Sequence, residues 1–317
     1  MASLSPPVGV CNLTAWFIFA SPAAARHPRD YAVLEETIAA ETAVLHETGS
    51  VNELLIENQG DLDLFIQAGD IVKGGRQDRT IGADFIVPAR SGKIPLPAFC
   101  VEQARWRRRR DEADTHFSTA KDFLASKKAR LAMRFSKSQA EVWDSISEEQ
   151  EQLAKAVQKE IRDATSPTSL QLTYESEGVT SAVDDYTAVL NPALAEVGGS
   201  VVGVVWAING VPSHADQYVS PKLFAKLWRK LLRAAATEAI GQRRGPGSNA
   251  APEPPSSKAI VAWLDSHVCA GATHAEEERL LPRTRIRTHR GTSLHRFEAF
   301  DTALDEACPL HVAVVAE

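Results

Sequence analysis

Apolar and polar positions alternate with a short period over the first third of the chain. Leu13 to Phe19 is an unbroken apolar run and predicts a first strand. Tyr31, Leu34 and Ile38 have helical spacing within residues 31–42, and residues 43–47 suit another strand. Leu54 and Ile56 alternate with Glu53 and Glu57, the turn formers Asn58, Gly60 and Asp61 follow, and Leu62, Leu64 and Ile66 alternate again. Residues 85–88 and 94–101 continue the meander, with Pro88, Pro95 and Pro97 assigning them to sheet edges. Several short strands at this spacing predict a sandwich or a partly closed barrel.

Beyond residue 110 the period changes. Ser138 and Glu141 form a capping-box pattern and predict a helix to about Arg162, with Trp143, Ile146, Leu153, Val157 and Ile161 on one face. Leu170 to Tyr174 reads as a short strand and Ala182 to Leu190 as a helix. Residues 201–208 (VVGVVWAI) are continuously apolar, which suits a strand buried on both faces. Asn209-Gly210 then predicts a hairpin returning towards Tyr218. Ser220-Pro221 opens a helix whose apolar face is Phe224, Leu227, Trp228, Leu231 and Ala235. A further helix is expected over 259–268, a hairpin around Arg290-Gly291 and a last strand over 310–315. The fold class is α+β: an antiparallel, β-sandwich-like N-terminal region, then helices and a smaller antiparallel sheet. Composition draws the domains as 1–110, a charged linker or exposed helix over 111–137, and an α+β portion over 138–317 with a flexible Pro/Gly/Ser-rich loop at 241–257.

Length and composition bound this picture. The chain has 317 residues, 44% hydrophobic and 24% charged, ordinary values for one large or two modest globular domains. A net charge of −6 argues against nucleic-acid binding by the general surface. The four cysteines are dispersed without a CxxC pair, as in a reduced, cytoplasmic protein. The apolar run at Leu13 resembles a signal peptide, but no Lys or Arg precedes Arg26, and the strand reading is preferred. No apolar stretch approaches the roughly 20 residues of a membrane span.

Two polar motifs interrupt the apolar pattern of residues 51–106. In GDIVKGGRQDR, adjacent glycines let backbone N–H groups approach an anion; Lys73, Gly74, Gln77 and Arg79 are candidate ligand-binding residues. Arg79 offers a bidentate fork, and Asp70 and Asp78 are candidate acids, bases or metal ligands. Lys73 precedes Gly74, so the segment is not a Walker A loop, and a solvated turn is the competing reading. In CVEQARW, Glu102 is a third catalytic candidate, with Gln103 and Arg105 on the opposite face of an extended segment. A structural Glu–Arg pair is the alternative. Cys100 reads as a small buried hydrophobe. Trp106 can stack on a base, and the arginines of residues 105–110 can meet phosphates, weighed against an exposed loop. His214 and Asp216 share a strand face, but without paired Cys/His spacing no metal site is assigned. Asn209 and Asp216 are the expected third wall of a pocket formed by the two motifs. The residues name no cofactor.

These motifs, in order, resemble the ARG and Rhodanese-Phosphatase-superfamily-associated protein domain family (ARPP). VNELLIEN, GDIVKGGRQDR, IPLPAFCVEQARW, QAEVWDSI, VVGVVWAINGVPSHADQYVSP and KLFAKLWRKLLRAA carry the resemblance, from about Leu13 to Ala236. Asp70 stands where the family commonly has glutamate, Lys73 to Arg76 vary its glycine-alanine-lysine, and Ala104 replaces a common glycine. Members occur beside ADP-ribosylglycohydrolases and rhodanese-phosphatase proteins. The resemblance therefore implies a role in ADP-ribose or nucleotide metabolism, with a phosphorylated ribose or nucleotide as ligand, and carries no catalytic residue with it. Binding, with or without hydrolysis, is one expectation; a non-enzymatic β-sandwich module that binds a partner protein is the other.

Overall fold

A computed structural model describes residues 3–21, 29–75, 77–103, 117–158, 160–162, 166–198, 200–243, 252–269, 275–280, 282–304 and 308–317. In chain order the elements are β1 Ser3–Leu4, β2 Val8–Val10, β3 Leu13–Phe19, β4 Ala32–Val33, α1 Leu34–Ala39, β5 Ala43–Glu47, β6 Glu53–Asn58, β7 Leu64–Ile66 and β8 Asp70–Gly74. Then come β9 Arg79–Ile81, β10 Phe85–Val87, β11 Ile94–Cys100, β12 Phe117–Leu124, α2 Lys127–Leu131, a π-helical turn Ala132–Ser136, α3 Gln139–Val157, α4 Leu170–Glu175 and α5 Glu177–Val197. The last are β13 Val201–Ile208, β14 Val211–Tyr218, α6 Pro221–Gly241, α7 Ser257–Cys269, β15 Ala275–Leu280, β16 Thr284–Arg290, β17 Leu294–Asp301 and β18 His311–Ala316. The fold is α+β with mostly antiparallel sheets. No helix among the described residues is long and apolar enough to cross a membrane.

The chain forms two compact units, one from Met1–Arg29 with Asp184–Glu317 and one from Asp30–Val183. These limits differ from divisions at 110 and 137 because composition follows local charge, whereas the first unit is made by strand pairing between distant segments. Within it, β3 pairs antiparallel with β13, and the sheet runs β1-β3-β13-β14-β18-β17-β16-β15 with β2 against β3. Every residue of β13 is buried. On one face Trp206 stacks on Trp228 of α6 at 5.8 Å between ring centroids, and Phe17 meets the same indole at 5.4 Å. On the other face Trp16, Val205, Ala215, Val312 and Val314 pack with Ile260 of α7. Full burial of such side chains contributes about 1.5–3 kcal/mol each. Gly203 interrupts this run because a Cβ there would lie 2.4 Å from the Asp216 carbonyl oxygen. Ser220 caps α6 through Leu223 N, with Pro221 at the first turn, as its sequence predicts.

The second unit holds a six-stranded sheet in the order β12-β8-β9-β11-β6-β5 and a three-stranded sheet β10-β7-β4. The six-stranded sheet curls. A Cβ on Gly75 would come within 2.4 Å of Glu47 on β5 and 2.7 Å of Phe117 on β12, so the two edge strands meet there. The partly closed barrel is thus the nearer of the two expected forms.

Several local expectations change. Residues 117–124, assigned to a charged linker or exposed helix, are β12, paired with β8. The strand-pairing interest of Phe117, Phe123 and Leu124 outweighs the charges between them, and among the described residues of 111–137 only 127–136 is helical. Leu170 to Tyr174 is helix α4, not a strand, because Ser169 accepts from Leu172 N and caps it. β11 lies inside the sheet despite Pro95 and Pro97: its first half, Ile94–Pro97, pairs β6 and its second half, Ala98–Cys100, pairs β9. Each half is therefore an edge on one side, which accommodates a residue lacking an N–H donor. Of the expected 241–257 loop, residues 244–251 lie outside the described residues.

Candidate functional site

The site is assembled by register. β8 ends at Gly74; Gly74 and the following Gly75 have φ of 132° and 57°, and Gln77 and Asp78 precede β9. Arg79 then pairs with Val72 on one side and Cys100 on the other. The start of the second motif is thereby set beside the end of the first.

Gln77 fastens the two. Its Nε2 donates to the Glu102 carbonyl oxygen at 3.0 Å, and its Oε1 accepts from Cys100 Sγ at 2.7 Å. Arg79 Nη1 donates to the Gln77 carbonyl oxygen at 3.1 Å, and its Nη2 stands 3.7 Å from Glu47 Oε2. Asp78 accepts from Gly74 N at 3.2 Å through Oδ1 and from Ser169 Oγ at 3.3 Å through Oδ2. Val101 N donates to the Asp78 carbonyl oxygen at 3.1 Å. Ser166 Oγ donates to Glu102 Oε1, and Thr168 Oγ1 to the Gln103 carbonyl oxygen at 2.7 Å. Asp78, Arg79 and Glu102 have no exposed surface. Burying them is tolerated because each is paired or hydrogen-bonded.

Gln139, the first residue of α3, grips the same strand from outside. Its Oε1 accepts from Cys100 N at 2.9 Å and its Nε2 donates to Cys100 O at 2.8 Å, so one amide does the work of a neighbouring strand. Burial pushes the Cys100 thiol up to about 11; the Arg79 guanidinium pulls the other way, and Glu47 and Glu102 add to the rise. At neutral pH Cys100 is a protonated thiol, which is a poor nucleophile.

The expected site residues divide. Gln77, Asp78, Arg79, Glu102 and Gln103 come together. Lys73 points its ammonium to Glu175 Oε2 at 3.1 Å. Asp70 lies at the other end of β8, four residues or roughly 13 Å from Gly74, and accepts from Gln67 N at 2.9 Å. Arg105 and Trp106, with the arginines through residue 110, lie outside the described residues. Asn209 and Asp216, expected as a third wall, belong to the other unit. There Asn209 has φ 53° in the hairpin turn and donates to the Gln242 carbonyl oxygen at 2.9 Å, while Asp216 meets His311 Nε2 at 3.1 Å. Within residues 30–183 the third side is closed by Ser166, Thr168 and Ser169. Glu47, Gln139, Ser166 and Ser169 escaped the sequence reading; Gln139 was visible only as part of a helix cap. Among the described residues no group of three or more His, Cys, Asp or Glu is placed to hold a metal.

Chemically, carboxylates, an amide, hydroxyls and one guanidinium converge in a low-dielectric setting, groups that bind hydroxyls and phosphates or move protons. A family model described as the ARG and Rhodanese-Phosphatase-superfamily-associated Protein domain matches residues 2–306. No curated protein and no solved structure matches the chain.

Proposed function

The chain belongs to that family, and from this premise we propose that residues 30–183 bind a phosphorylated ribose or nucleotide of the ADP-ribose kind where the two polar motifs join. The observation that carries the reading is the interlock at Gln77, which holds Asp78, Arg79 and Glu102 in one cluster. In the proposed role Arg79, Gln77 and Gln103 hold phosphate and hydroxyl oxygens, with Arg105 and Trp106 adding a further fork and a stacking plane. Asp78 and Glu102 are the candidate acid and base if the ligand is hydrolysed; the associations in the family's name support nucleotide chemistry as a class and no particular reaction.

One observation favours a second reading. Asp78, Arg79 and Glu102 have no exposed surface, which suits a structural network inside a non-enzymatic module that binds a partner protein. Calorimetric titration of the full chain with ADP-ribose, AMP and ribose 5-phosphate separates the two. The ligand reading expects binding by the wild type that Arg79→Lys and Glu102→Gln each remove while circular dichroism stays unchanged. No heat with any of the three ligands, or unaltered affinity in folded variants, leaves the module reading.

A further inference from the structure

The three strands β15, β16 and β17 present an unusual face. Glu277 stands opposite Arg287 and Arg279 opposite Arg285 across β15–β16. Across β16–β17, Phe300 faces Arg285, Glu298 faces Arg287 and Arg296 faces His289. Directly opposed side chains share one side of a sheet, and like charges so placed destabilise the pairing. Here a chain of net charge −6 sets Arg279 directly against Arg285.

Two of these arginines are held rather than waving in solvent. The Arg285 guanidinium carbon lies 4.2 Å from the centre of the Phe300 ring and that of Arg287 5.1 Å from it. Only 5% of the Arg285 side chain is exposed. Arg285 Nη1 and Arg287 Nε donate to the same oxygen, Glu277 Oε1, each at 2.9 Å. Arg287 is steadied from behind by Glu298 at 3.5 Å, which also takes Arg296 Nε at 2.7 Å. Two planar forks, fixed by one aromatic ring and converging on one oxygen, are the geometry of an oxyanion receptor.

The present occupant is weakly held. Glu277 sits on β15, an edge strand, with 46% of its side chain exposed. Its carboxyl is held below the usual range, first by the Arg287 hydrogen bond, so it is an anion at neutral pH. The pair to Arg287 is solvent-exposed at both ends and of the weak kind, and the Glu277 end of both pairs reaches water, into which its side chain can turn. A carboxylate also offers only two oxygens to Arg279, Arg285 and Arg287, whereas a phosphate offers three and more charge.

We propose that Arg285 and Arg287 form a binding site for a phosphate or diphosphate group, which the Glu277 carboxylate covers in the free protein. The exposed Arg279, opposite Arg285, is the third cation such a group engages once Glu277 turns away. The site lies on the unit built from residues 1–29 and 184–317 and does not depend on the ligand proposed for residues 30–183.

Calorimetric titration of the full chain with inorganic pyrophosphate tests this. Glu277→Gln, an exposed and nearly isosteric change, is expected to tighten binding by about fivefold over the wild type, the factor that loss of a competing surface ion pair allows. Arg287→Gln is expected to weaken it by roughly tenfold or more through loss of a charge-assisted fork. Arg79→Lys leaves it unchanged, which separates this site from the ligand site of the other unit. Absence of binding in both the wild type and Glu277→Gln overturns the proposal. So does a Glu277→Gln affinity no better than the wild type's, or an Arg287→Gln affinity equal to it.

Discussion

Cys100 gives the second unit an alkaline limit whose size follows from its surroundings. Its side chain has no exposed surface, and its thiol is lifted from 9.0 to about 11. The folded chain therefore keeps this proton at a pH where the unfolded chain gives it up. The contribution to stability is fully present below pH 9 and is lost as pH rises through 11. At about 1.4 kcal/mol per pH unit, the interval from 9.0 to about 11 corresponds to about 2.7 kcal/mol. Lysines and tyrosines titrate over the same range, so the measurement is a difference. Urea unfolding of the wild type and of Cys100→Ala, followed by tryptophan fluorescence at pH 8, 9.5 and 11, isolates the thiol. The stability advantage of the wild type over the variant is expected to be constant up to pH 9. By pH 11 it should have shrunk by about 2 kcal/mol, most of the full amount. A difference that stays flat from pH 8 to 11 would refute the assignment of a protonated, buried thiol hydrogen-bonded to Gln77.

Two further outcomes follow from the same region. Gln139→Ala leaves the Cys100 N–H and C=O without their side-chain partner, and because Gln139 is half-buried the loss should be about 2 kcal/mol in urea unfolding; a change under about 0.5 kcal/mol would show that water replaces the amide without cost. Gly75→Ala meets Glu47 and Phe117 and carries a left-handed backbone, so a loss of at least about 2 kcal/mol is expected, and wild-type stability would mean that the β5 and β12 edges are not in contact there.

Signals that act over a few residues were legible in the sequence. The β13–β14 hairpin announced itself through a continuous apolar run followed by Asn209-Gly210, and α6 through Ser220-Pro221. The pairing of Arg79 with Cys100 follows from the meander that contains both. What was not legible depends on distant pairing or on competing local signals. Leu170, Leu172 and Tyr174 alternate like a strand, and only the cap at Ser169 turns them into a helix. The approach of Glu47 to Arg79 requires the curl of a sheet that no short window contains. Ser166 and Ser169 look like ordinary loop residues until α4 places them against Glu102 and Asp78.

The pairing of β3 with β13 has a consequence for how the chain is made. Val201 lies 182 residues beyond its partner Phe19 (201 − 19), and the whole of the other unit is synthesised in between. At 5–20 residues per second a ribosome takes roughly 10–40 s to cover that distance. Through that interval the segment LTAWFIF waits with only the short β1 and β2 beside it. Seven consecutive strand-forming residues without a charge are an aggregation hazard while unpaired. The first unit thus needs segments from both sides of the second before its sheet can close, and β3, buried along all but its last residue, is the strand that needs protection through that interval.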